Sequence, residues 1–418
     1  MRKWLRHNRV HVSPRLTGVT RYDPGLECDP ADVDMSHDDV EMIWSAAENL
    51  YRTGLHPGIS LVIRRRGQVV LRRAIGHAHG NAPGRQGSVR KSLIEADTPI
   101  CLFSASKAVT AMLVHKMVEE KRLMLSDPVV DYLPEFGQRG KQHVTILDLL
   151  SHRAGIPRIP SKHTDPELLF DWDKAVQVLC EARPIRGIGQ QQAYHAITAG
   201  FILGELIQRV TGQDLREVLS QRFTQPLGLN HMSYGLPLQQ HALAAENAFT
   251  GPALVPPLGY IAKRILGARF EDVAAISNDP RFLSATIPAG NLYASADDAC
   301  LFFQMLLNGG ELDGTRVLEP ETIARAVAPI GHIRPDSSLL LPVRFSAGMV
   351  SGERLLGLYG LNCAEAYGHL GFINIICWAD PARDISVALL NTGKSMAVDG
   401  VTRLAQLVGA ISKHCPRH

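Results

Sequence analysis

The chain has 418 residues, long for one compact core, which points to two domains or one large domain with an insertion. Hydrophobic residues make up 45% and charged residues 20%, an ordinary globular balance, and a net charge of +3 with scattered basic residues argues against a nucleic-acid partner. No apolar run approaches the roughly 18 residues needed to span a membrane, and the basic amino-terminal stretch lacks the apolar core of a secretory signal.

Residues 1–35 read as an irregular arm. Ser36 and Asp39 form a capping box for a helix over about 37–53, with Gly54 as its stop. In ISLVIRRRGQVVLRRAIG, two β-rich runs flank Arg66, Gly67 and Gln68 and read as a hairpin. A polar, Gly-rich loop covers 77–98, and a helix follows near 105–121. Thr145 and Asp148 cap a short helix that ends at Gly155 and Pro157. Helical spacing recurs at 166–183 and 196–211, whereas residues 234–289 are rich in Pro, Gly and Ala and read as a pocket wall or lid. Ser295 and Asp298 cap a further helix, closed at Gly309 and Gly310. From about 344 the pattern becomes strands, RFSAGMV, RLLGLYGL, INIICWA and ISVALLN, before a last amphipathic helix over about 397–412.

Strands at both ends with helices between predict one antiparallel sheet built from the early hairpin and the late strands. The expected division is an arm at 1–35, an α/β domain from 36–103 and 290–418, and a mainly helical domain over 104–289 with 234–289 as its pocket wall. The active site is expected between the lobes. The seven cysteines are odd in number, widely spread and without CxxC spacing, so they read as free thiols of a reducing, cytoplasmic setting, with no metal site.

The stretch FSASKAVTAM places Ser104 and Lys107 on one face at a helix start, between apolar flanks. Burial lowers a lysine pKa, and a neutral amine can take a hydroxyl proton, so the pair has the makings of an activated nucleophile. The bland reading is a helix-capping serine beside a snorkelling lysine. The spacing alone is weak, because Ser88 and Lys91 repeat it in a polar loop, where the lysine would stay solvated. Tyr194, followed by His195 and Ala196, stands before an apolar helix; its bland reading is a packed aromatic. Gly368, His369, Leu370 and Gly371 precede the strand FINIICWA, where small residues let a substrate approach the backbone; its bland reading is a β-turn. No Gly-x-Ser-x-Gly elbow occurs, and Gly393, Lys394 and Ser395 resemble the end of a phosphate loop without its first glycine.

The order of these three motifs resembles the serine β-lactamase and penicillin-binding-protein superfamily. The segments HPGISLVIRRRGQVV, LSDPVVDYLPEF, VTILDLLSHRAGIP, YHAITAGFILGELIQRVTG and GHLGFINIICWADPARDISVALLNTG extend the resemblance over about 40–410. The family's Tyr-x-Asn and Lys-Thr-Gly are here Tyr194-His195-Ala196 and His369-Leu370-Gly371, which looks like the esterase branch called family VIII carboxylesterases. The missing Asn argues against β-lactam turnover. The resemblance implies an α+β, β-lactamase/transpeptidase-like fold and a serine hydrolase acting on small-molecule carboxylic esters without a cofactor. It makes Ser104 the acylated nucleophile and Lys107 and Tyr194 the general base and acid. The N–H groups of Ser104 and Phe372 would form the oxyanion hole, with His369, Gly371 and His195 on the substrate side. A neutral His369 in place of a lysine favours neutral esters. Acyl transfer, D-amino-acid peptidase or weak β-lactamase activity at the same site, and a non-catalytic scaffold, are the alternatives. Acyl chain length and oligomeric state are left open.

Overall fold

A computed structural model describes residues 8–85, 90–163, 165–185 and 187–417. Its centre is an antiparallel sheet of β1 (Thr20–Tyr22), β2 (Gly58–Arg65), β3 (Gln68–His79), β4 (Val350–Ser351), β5 (Tyr367–Gly371), β6 (Ile375–Asp380) and β7 (Ile385–Asn391). The spatial order is β1-β3-β2-β7-β6-β5-β4, with Ser92–Leu93 paired on β3 off that path. The early hairpin therefore joins the late strands as expected, through β2 against β7 with Ile63 opposite Val387. The hairpin turn holds Arg66 at φ 50° and Gly67 at φ 75°, the paired positive values that match the right-handed twist of the flanking strands.

Alternation along the strands sorts side chains to two faces. Leu61, Ile63, Ile376, Trp378, Val387 and Leu389 face α1 (His37–Tyr51) and the last helix, Val398–His414. Val62, Ala74, Cys377 and Ala388 face the other way, into a core that runs on through the helical region. Covered on both sides, β2 and β7 are buried along nearly their whole length and are mostly apolar. On that second face lie α2 (Ser106–Glu119), α3 (Ile146–Leu150), α4 (Trp172–Glu181), α5 (Thr198–Thr211) and α6 (Ala296–Leu307). Both predicted capping boxes form, Ser36 with Asp39 and Thr145 with Asp148.

Four expectations need correction. The irregular arm contributes β1, which pairs with β3 with Thr20 opposite Ile75. The run RFSAGMV supplies only Val350 to the sheet, since Gly348 at φ 118° breaks it, and RLLGLYGL makes a separate two-residue ladder. The stretch around His369, read as standing just before a strand with a β-turn as its bland alternative, is itself a strand, β5, next to the short edge strand β4. Residues 234–289, read as loosely structured, carry the helices Leu258–Leu266, Phe270–Ile276 and Pro280–Ser284, which line the cavity as the pocket-wall reading expects. All seven cysteines are free thiols. Among the described residues no helix is long and apolar enough to cross a membrane.

Candidate active site

The site begins where the short strand Ile100–Cys101 turns into α2. Phe103 takes φ 46°, a left-handed conformation unusual for a bulky side chain, and a single 3-10 turn over Phe103–Ala105 presents Ser104 before the α-helix starts at Ser106. No side chain caps this helix start; the Ser106 hydroxyl donates to the Phe103 carbonyl and accepts from Leu292 N at 3.0 Å. That leaves Ser104 free of the role the bland reading assigned it.

Lys107 is one turn on, 8% exposed, and its ammonium reaches three acceptors: Ser104 Oγ at 3.2 Å, the Ala196 carbonyl at 2.6 Å and the Ala289 carbonyl at 3.0 Å. Burial pushes its pKa down to about 7. Tyr194 enters from the segment before α5, with Lys107 Nζ 5.0 Å from its ring centroid. Burial raises the phenol well above its ordinary value, and the Ser104 hydroxyl opposes the shift. The proton therefore leaves Lys107 far more readily than Tyr194.

Tyr194 is held by Asp336 and His152, which the sequence reading missed, and lies near His369. Its backbone N–H donates to buried Asp336 Oδ1 at 3.0 Å, and the same oxygen accepts from Ser338 N and Leu339 N. The Pro-Asp-Ser-Ser run, a turn signal, was the available clue. Its ring lies 4.7 Å from His152 and 6.3 Å from His369. His152 Nδ1 accepts from His195 N at 3.2 Å, and His195 Nε2 accepts from Ile156 N at 3.1 Å. Burial, then nearby positive groups, pushes His369 to about 3 and His152 well below its ordinary value; burial with the charge of Lys107 takes His195 to about 3 as well. All three imidazoles are neutral.

Opposite Ser104, β5 ends at Gly371, and Phe372 and Ile373 follow at φ 37° and 77°. A Cβ on Gly371 would stand 2.0 Å from the Leu102 carbonyl, so glycine is required by the close approach of the segment that leads into Ser104. The ring of Phe372 packs 5.0 Å from Phe103 and 4.5 Å from Phe270. Behind it, Asn374 Nδ2 donates to the Gly393 carbonyl at 2.8 Å. Lys394, set aside with its failed phosphate-loop motif, is fully buried; it donates to the Asn391 carbonyl at 2.8 Å and sits 4.9 Å over the Phe103 ring. Burial takes it, too, to about 7.

The structure thus brings Ser104, Lys107 and Tyr194 together, and Ser104 and Phe372 line a cavity of about 1080 Å³ with Phe103, Ile156, Ile197 and Ile287. His369 lies beside Tyr194, Gly371 packs on Leu102 and His195 stacks on His152 at 5.7 Å; none of the three lines that cavity. Ser88 lies outside the described residues; Lys91 donates to Asn81 at 2.9 Å.

Known proteins share this arrangement's frame. The esterase/beta-lactamase LipL of Mycobacterium tuberculosis is 30% identical over 310 residues, 71% of this chain and 70% of that protein. A penicillin-binding-protein homologue from Caulobacter crescentus superposes at a TM-score of 0.76 with 29% identity, covering 89% of this chain and 96% of its own. A family VIII carboxylesterase does so at 0.76 with 26% identity, over 90% and 98%. The beta-lactamase family model matches residues 47–410, through both halves of the sheet and the helices between them, and the chain belongs to that family.

Proposed function

We propose that this protein is a serine hydrolase that cleaves carboxylic esters through an acyl-enzyme on Ser104. The observation that carries the reading is Lys107, its Nζ 3.2 Å from Ser104 Oγ and its pKa lowered to about 7, so that a neutral amine is present at ordinary pH beside the hydroxyl. Ser104 Oγ attacks the ester carbonyl while its proton passes to Lys107. The oxyanion is met by the backbone N–H groups of Ser104 and Phe372. On collapse the alcohol leaves with a proton from the Lys107/Tyr194 pair, and water then attacks the acyl-enzyme by the reverse proton path. Tyr194, whose phenol keeps its proton, acts as donor. Neutral His369 and the absence of an Asn after Tyr194 favour esters over β-lactams, in keeping with relatives called an esterase/beta-lactamase and a family VIII carboxylesterase. The free thiols fit a reducing, cytoplasmic setting.

The test is hydrolysis of 4-nitrophenyl acetate, butyrate and octanoate beside nitrocefin, with wild type and Ser104→Ala. Ser104-dependent ester turnover exceeding nitrocefin cleavage supports the reading. Dominant nitrocefin cleavage, or ester turnover that survives in Ser104→Ala, overturns it.

A further inference from the structure

The cavity over Ser104 has two unlike parts. Its floor is buried and apolar, formed by Phe103, Ile156, Ile287 and Phe372. Its mouth carries Arg139, Arg158, Lys162, Arg183, Lys263 and Arg264, all exposed, against two acids, Asp165 and Glu181. That local excess of four positive charges exceeds the +3 of the whole chain. The two acids bond to neutral donors and not to these cations: Asp165 accepts from Glu167 N at 3.0 Å as a helix cap, and Glu181 accepts from Gln177 Nε2 at 3.0 Å. Elsewhere arginines are paired, as Arg72 is with Asp297, Arg73 with Glu27 and Arg222 with Glu120. None of the six at the mouth has an ion pair among the described residues. Arg158 and Arg264 are close enough that the charge of one disfavours the other.

Unpaired like charges around a cleft with apolar walls concentrate an oppositely charged ligand, and guanidinium forks suit carboxylate and phosphate oxygens. The floor beside Ser104 is apolar, so charge selection belongs to the outer end of the cavity. A volume of about 1080 Å³ leaves room for an apolar spacer between the two. We propose that the site takes amphiphilic esters whose far end carries an anionic group, carboxylate or phosphate, held by Arg158, Arg264 and the neighbouring cations at the mouth. The inference rests on the ester-hydrolase reading and adds its substrate class.

The experiment compares mono-4-nitrophenyl suberate, charged on the acyl end, and 4-octanoyloxybenzoate, charged on the leaving group, with neutral 4-nitrophenyl octanoate. Each is measured at about 25 mM and about 500 mM NaCl, which changes screening strongly. The proteins are wild type, the double variant Arg158→Gln/Arg264→Gln, and Arg403→Gln, which removes one exposed arginine from the last helix. For at least one anionic ester, the ratio of its kcat/KM to that of the neutral ester should fall about 5- to 20-fold in the double variant, mostly through KM, as expected for a few exposed charge contacts acting together. It should fall similarly for wild type at high salt, and Arg403→Gln should leave it in place. A ratio unmoved by salt and by the double variant overturns the inference. Should no ester be turned over, the hydrolase reading fails separately. The mouth is then judged by binding of octyl phosphate against octyl glucoside: preference for the phosphate that weakens in the double variant supports the inference, and equal binding overturns it.

Discussion

Phe103 and Phe372 both hold left-handed backbone, at φ 46° and 37°, and their rings stand 5.0 Å apart across the mouth of the Ser104 turn. Two bulky residues in that region each cost on the order of 1–3 kcal/mol, so the surrounding packing must hold them there. Lys394 over one ring and Phe270 against the other supply part of that hold. The strain falls on the neighbour of the proposed nucleophile Ser104 and on the second proposed oxyanion donor, which links fold energetics to the proposed chemistry.

Phe372→Gly separates strain from packing. Glycine relieves about 1–3 kcal/mol of backbone cost. It also loses a buried ring stacked on two others, a change worth about 3–5 kcal/mol. At the middle of both ranges the packing loss wins, so the variant should unfold at lower denaturant, by about 2 kcal/mol net. Its kcat should fall more than its KM rises, because the N–H is no longer fixed. Equilibrium denaturation with kinetics on 4-nitrophenyl butyrate checks both, and a stabilised variant would contradict the account.

Gly371→Ala forces a Cβ to within 2.0 Å of the Leu102 carbonyl. Backbone must shift, at about 2–3 kcal/mol for overpacking of this kind, and the shift displaces the strand that leads into Ser104. Lower melting temperature together with lower kcat is expected; a variant with native melting and activity would show that the close approach is unimportant.

Ser104→Ala removes the proposed attacking oxygen and nothing that caps the helix, since no side chain caps that start. Ester turnover should drop by on the order of 10³-fold or more while the melting temperature stays near wild type. Thermal denaturation beside the kinetic assay distinguishes loss of chemistry from loss of fold.

The pH dependence follows from Lys107. With its pKa at about 7, kcat/KM should climb with pH and level off above neutrality as the amine loses its proton. Lys107→Arg keeps the charge at every accessible pH and should cost on the order of 10²–10⁴-fold. A flat profile across pH 5–9 in wild type would remove Lys107 as the base.

Buried Lys107 and Lys394 also set a sign for stability. Both fall from 10.5 to about 7 on folding, so between those values the unfolded chain binds more protons than the folded one. Stability contributed by these groups therefore rises with pH from about 7 to 10.5. Lys394→Met should flatten that rise and raise the melting temperature at pH 7, because a fully buried ammonium is replaced by an apolar chain. Melting curves at several pH values decide it; a variant with an unchanged slope would mean Lys394 stays charged in the fold.

What the sequence determined by itself is local. The Ser36–Asp39 and Thr145–Asp148 boxes, the Arg66–Gly67 turn and the placing of Ser104 one turn from Lys107 each depend on neighbours within four residues, where helix and turn geometry leave little freedom. The motif order identified the frame, which the family and the sheet topology bear out. Tertiary structure alone decided the rest. His195, next to Tyr194 in the chain, faces His152 and away from the cavity, while Asp336, more than a hundred positions off, holds the Tyr194 backbone. Lys394 looked like a remnant of a phosphate loop and is instead buried over Phe103. Such outcomes depend on strand register and on which faces meet in a close-packed core, and neither is encoded in the spacing of any short stretch.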